Sequence, residues 1–150
     1  MAKLKSIEAF LSAKNIAVVG VSRTGLNFGY TAFQKLRSSG HNAVPVNANT
    51  DIIMGNICYR SLIELKSKVD AALIIVPPEQ AVNVVQDAIN ANINNIWFQP
   101  GSESKEALEL CELNNVNYVD KQCILLHSEP VVSVHKLHRF FNKITGRFPE

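Results

Sequence analysis

The residues best able to do chemistry in this 150-residue chain gather where its apolar runs end. The first run, Ile16-Ala17-Val18-Val19, leads into Gly20-Val21-Ser22-Arg23-Thr24-Gly25, with Gly29 and Tyr30 just beyond. Unpaired backbone N–H groups ahead of a helix attract phosphate, and glycines let an anion come close to the backbone. Arg23 adds a guanidinium that can grip phosphate at two points. The turn departs from the dinucleotide fingerprint GxGxxG, because Ser22 stands where the second glycine belongs and the helix starts later, near Gly29. At the end of the second run, Val46-Asn47-Ala48-Asn49, no acid precedes Asp51. NAD sites place a carboxylate there for the ribose hydroxyls. Asn47 and Asn49 instead can donate to a phosphate, which tilts the reading to NADP or coenzyme A and to an acid-free rim. Val76-Pro77-Pro78 forms a stiff wall suited to an adenine face or a pantetheine chain, and Gln99-Pro100-Gly101-Ser102 offers an amide and backbone N–H groups at another helix start.

Other reactive side chains lack the company that catalysis needs. Ser22 is one residue out of register for the hydrolase elbow GxSxG. Cys123 follows the last apolar run, at the expected ligand edge, and is read as a packed thiol. His135 and His138 have no third metal ligand near them in sequence, and His41 and His127 are expected at turns or on the surface. Hence no catalytic residue and no metal site is assigned.

The elements that must position these loops alternate strictly. Short continuous apolar runs at 16–21, 43–46, 71–76, 95–98 and 116–119 read as strands covered on both faces. Helical spacing fills the intervals, from about 27 to 39, 79 to 90 and 102 onward, with a short turn of helix near 61–66 and an amphipathic helix at about 4–12. Pro45 lacks an N–H and should sit near a loop or bulge of its strand. Residues 47–56 read as a polar ligand rim. The sum predicts an α/β fold: a doubly wound, Rossmann-like parallel sheet of about five strands with an extra C-terminal helix. Ligands of such sheets bind beyond the carboxyl ends of the strands.

Length and composition bound the rest. The chain fits a single domain, with a core of about 14–127 and a C-terminal helix of about 133–145. That helix would carry Val134, Leu137, Phe140, Phe141 and Ile144 on one side and a basic face opposite, a surface for a protein partner. A net charge of +2 is too small for nucleic acid to be the expected partner. No apolar run approaches a membrane span. Cys58, Cys111 and Cys123 form no CxxC pair, which argues for a reducing, cytoplasmic setting.

Ala17-Val18-Val19-Gly20-Val21-Ser22, Asn27-Phe28-Gly29-Tyr30, Pro45-Val46-Asn47, Val76-Pro77, Trp97-Phe98-Gln99-Pro100-Gly101 and Asp120-Lys121-Gln122-Cys123 come in a telling order. Together they resemble the small stand-alone coenzyme A-binding proteins, similar to the nucleotide-binding domain of the succinyl-CoA synthetase alpha subunit. The resemblance implies a Rossmann-like fold with coenzyme A, or an acyl-CoA, across the strand ends. It implies phosphate contacts at Gly20, Ser22, Arg23 and Gly29, the ribose or its phosphate near Asn47, and the adenine side along Val76 and Pro77. The family often has arginine where this chain has Gln122 and proline where it has Ala48. The expected function is a non-catalytic or regulatory binder of a small nucleotide ligand. The alternatives are an NADP-dependent oxidoreductase-type nucleotide-binding module, or an interaction protein that uses the basic C-terminal helix.

Overall fold

Continuous apolar runs become the strands of one parallel sheet. The computed structural model describes residues 2–127, so the C-terminal helix expected at about 133–145 lies outside the described residues. In chain order come α1 (Ala2–Leu11), β1 (Asn15–Val19), α2 (Phe28–Ser38), β2 (Asn42–Val46), β3 (Ile52–Ile53), β4 (Asn56–Ile57), β5 (Ala71–Ile74), α3 (Pro78–Asn90), β6 (Asn95–Phe98), α4 (Lys105–Leu113) and β7 (Asn117–Val119). The main sheet runs β2-β1-β5-β6-β7, all parallel. Chain order reverses direction across the sheet between β1 and β5, which is the switch point where doubly wound sheets take ligands. Among the described residues, no helix is long and apolar enough to cross a membrane.

Alternation along the strands sorts the core into two layers. Ile16, Val18, Leu73 and Trp97 pack under α1 and α2. Ala17, Val19, Ile74 and Phe98 pack under α3, α4 and a 3-10 turn at Leu62–Leu65. A strand residue's neighbour points to the opposite face, so covering both faces requires the unbroken apolar runs seen in the sequence.

Pro45 sits inside β2 rather than at a bulge, and the edge position explains why. Val46 turns its carbonyl inward to accept from Gly20 N, 3.2 Å away, while Pro45 turns its carbonyl outward to accept from Tyr59 N at 3.0 Å. The missing N–H therefore faces away from β1 and costs no ladder bond. Tyr59 makes a parallel bridge to Val46 and so carries the chain back along the edge.

The polar rim expected at 47–56 contains an antiparallel hairpin, β3–β4. Its turn residues Met54 and Gly55 both have positive φ (47° and 82°), the geometry that suits a two-residue hairpin. Met-Gly lacks the asparagine or aspartate that usually announces such a turn, which is why the sequence hides it.

His127 lies at a turn, as expected, but inside the protein rather than on the surface. It is 2% exposed. A 3-10 turn at Ile124–Leu126 folds the chain so that the imidazole meets Trp97 edge-on, with ring centroids 5.3 Å apart. Its Nε2 lies 3.3 Å from Gln122 Oε1. Burial pushes its pKa down to about 4. His41 is partly buried and donates from Nδ1 to the Ala13 carbonyl at 2.8 Å.

Candidate ligand cleft at the strand ends

The loop after β1 is shaped by one asparagine. Asn27 caps α2: its Oδ1 accepts from Tyr30 N at 3.0 Å and from Ser22 N at 3.1 Å, and its Nδ2 donates to Gly20 O at 3.0 Å. Ser22 Oγ lies 2.8 Å from Thr24 Oγ1 and accepts from Thr24 N at 3.1 Å. The turn is thus tied internally, and the N–H groups of Phe28 and Gly29 remain at the open start of the helix. Asparagine is a preferred N-cap, so the signal was in the sequence, which used Asn27 only as a helix start. Asn27→Ala should cost about 1–2 kcal/mol in urea unfolding and weaken any ligand held by this turn, since it removes a cap and a loop clasp together. Unfolding indistinguishable from the parent would contradict that role.

Two hollows open at the strand ends. The more enclosed, of about 430 Å³, is lined by residues 19–22 and Asn27, by Val46 and the loop to Asn49, by residues 60–62, by Ile75, Val76 and Pro77, and by α3. The second, about 450 Å³ and more open, is lined by Phe28, Ile75, Val76, Pro77 and residues 99–102. Ile75, Val76 and Pro77 belong to both. Asn27 lines one hollow and Phe28 the other, so the start of α2 faces the seam between them.

The expected site residues divide accordingly. Gly20, Val21, Ser22, Asn47, Asn49, Val76 and Pro77 meet in the more enclosed cleft. Gln99 and Gly101 line the second hollow with Val76 and Pro77. Arg23, Gly29 and Tyr30 line neither. Arg23 is exposed. Gly29 is buried against the Gly20 carbonyl, where an added Cβ would come within 2.3 Å of the oxygen.

Several of these groups are already committed inside the protein. Asn47 Nδ2 donates to Val21 O at 2.8 Å, and its Oδ1 accepts from Asn49 N at 2.8 Å, which clasps the first two loops together. Gln99 Nε2 donates to Cys123 Sγ at 3.2 Å, and its Oε1 accepts from Ile124 N at 3.0 Å. Val76 N donates to the buried Ser102 Oγ at 3.1 Å. The Pro77 wall therefore presents apolar surface and few donors.

The rim is not free of acid. Asp87 lines the more enclosed cleft, and burial raises its carboxyl above the usual range. It stands on α3 with Gln80 and Val84, spaced four and three residues apart, so these side chains share one helix face turned to the cleft. In sequence that spacing reads as core packing. Arg60 was also missed, because Tyr59-Arg60-Ser61 looks like an ordinary lead-in to a helical turn. Its Nε donates to Asp51 Oδ1 at 2.9 Å and its Nη1 to Ala48 O at 3.0 Å. The guanidinium holds the Asp51 carboxyl below the ordinary carboxylate range.

Cys58 and Cys111 are poor nucleophiles here: burial pushes the Cys58 thiol up and the Cys111 thiol up to about 12. Among the described residues, no group of three or more His, Cys, Asp or Glu could hold a metal ion.

Residues 14–129 match the family described as CoA binding domain. The alpha subunit of an ADP-forming acetate–CoA ligase II from Pyrococcus furiosus is 24% identical over 129 residues, covering 79% of this chain and 28% of that subunit. The uncharacterized protein YneT of Bacillus subtilis is 24% identical over 117 residues, covering 78% of this chain and 87% of YneT. A solved structure of a conserved hypothetical protein from Pyrococcus furiosus superposes with a TM-score of 0.71 at 38% identity, covering 75% of this chain and 97% of that one. The chain thus spans about 28% of the ligase subunit it resembles, yet nearly the whole of the small relatives.

Proposed function

Since the chain belongs to the CoA binding domain family, we propose that its two strand-end hollows hold one molecule of coenzyme A or an acyl-CoA, as a non-catalytic or regulatory binder. The observation that carries this reading is the start of α2 at the seam. A helix N-terminus favours a diphosphate, and hollows on either side of it suit an adenosine and a pantetheine arm. The more enclosed cleft has Val19, Val46 and Leu62 in its lining, an apolar surface for the base. The Pro77 wall and the Gln99–Gly101 loop suit the arm, which needs few hydrogen bonds. A binding role agrees with a lining in which amides, prolines and aliphatic side chains predominate, with Arg60 and Asp87 its charged groups.

Thermal shift and calorimetry against CoA, acetyl-CoA, NAD and NADP test the reading. CoA at ~100 times its dissociation constant should stabilise the fold by about 2.7 kcal/mol. Selective stabilisation by NADP would replace this reading with that of an oxidoreductase-type module. Arg23→Ala should weaken CoA several-fold and leave unfolding within about 0.5 kcal/mol of the parent, because the side chain is exposed. Unchanged affinity in calorimetry would place the diphosphate on backbone N–H groups alone.

A further inference from the structure

We infer that Arg60 recognises the ribose phosphomonoester of the ligand and sets the preference for coenzyme A over its dephosphorylated form. This rests on the coenzyme A reading above. Asn47 and Asn49 stand at the end of β2, where the ribose belongs, but the Asn47 amide is spent on Val21 O and Asn49 N. Among the described residues, Arg60 is the one cation that lines the more enclosed cleft. A phosphomonoester near neutral pH carries between one and two charges, more than a single neutral amide can balance.

The guanidinium is held before any ligand arrives. Nε is fixed by Asp51 and Nη1 by Ala48 O, so the planar group has a set orientation with Nη2 left over. The Val46–Tyr59 bridge places it beside the end of β2. Asp51 offsets part of the charge along the edge that Nε shares with Nη2, so an incoming phosphate meets the end of the fork that Nη2 shares with Nη1. Asp87, on α3, disfavours a phosphate beside it, which leaves the Arg60 end of the cleft as the place for one. This role differs from that of Arg23, which serves the diphosphate common to both forms of the ligand.

Calorimetry with CoA and with dephospho-CoA tests the assignment on the parent, Arg60→Ala, Arg60→Lys and Arg23→Ala. The parent should prefer CoA by roughly 10- to 100-fold, the range of a charge-assisted contact. Arg60→Ala should remove most of that gap by weakening CoA alone, and retained dephospho-CoA binding then certifies the fold. Arg60→Lys keeps the charge without the fork and should keep part of the gap even if the alanine variant loosens the loop. Arg23→Ala should weaken both ligands alike. A parent that binds both forms equally, or an Arg60→Ala or Arg60→Lys variant with the full gap, overturns the inference while leaving coenzyme A binding intact. A parent that binds neither form overturns the reading beneath it.

Discussion

Gly20→Ala should abolish stable folding or cost about 3–5 kcal/mol, the largest effect of any single methyl group in this protein. An added Cβ at Gly20 would lie 1.9 Å from the Ile75 carbonyl oxygen, with φ at +109°. The obstacle is backbone, which cannot step aside as a flexible side chain can. Gly29→Ala meets the same wall from the other direction, 2.3 Å from Gly20 O. Gly20 is therefore pressed between the start of α2 and the end of β5, and both glycines pack elements together before they touch any ligand. Gly40→Ala is the control: its φ is +99°, but nothing lies within 4 Å. It pays only the left-handed backbone penalty, about 1–2 kcal/mol. Urea unfolding of the three variants checks the claim. Equal costs at Gly20 and Gly40 would show that conformation alone, and not the close approach, matters.

Stability should also fall steeply below neutral pH because of His127. The folded protein keeps the imidazole neutral until about pH 4, whereas the unfolded chain takes up a proton below about 6.5. Between those values the unfolded state binds more protons, so acid favours it. The contribution is full above pH 6.5, falls through that window and is gone below about 4. The displacement corresponds to about 2–3 kcal/mol. Asp51, whose carboxyl is held low, pushes in the same direction, so the comparison must be with His127→Gln, which cannot charge. The parent should lose that much more than the variant between pH 7 and pH 4.5. Parallel curves would mean that the imidazole protonates in place. The cause is the apolar wall on which it rests: Trp97 is wholly buried, meets Phe10 at 5.2 Å between centroids, and donates from Nε1 to Gln122 O at 2.8 Å.

The order of strands and helices could be read because a doubly covered parallel strand needs an unbroken apolar run, and few other structures do. The loops that line the two hollows followed from topology, since their place at the strand ends is a property of the sheet. What stayed hidden depended on side chains reaching in from elsewhere. Asp87 lies on a helix face whose four-and-three spacing is the same for cleft and core. Arg60 comes into the cleft only because Tyr59 pairs with the outside of β2, a contact between residues with no pattern in common. His127 looked polar and terminal, and only the turn at Ile124–Leu126 carries it beneath an indole. Gln99 was legible as a loop amide, yet its commitment to Cys123 and Ile124 was not.

The outward-facing Pro45 has a bearing on how this molecule behaves in a crowded solution. A bare outer strand is a template on which a second chain can polymerise. Here the ring nitrogen offers a newcomer nothing to bond, and the Tyr59 segment already occupies the neighbouring carbonyl. The opposite margin, β7, is a stub of three residues. Among the described residues, the sheet therefore offers no long bare margin along which copies could stack into fibres.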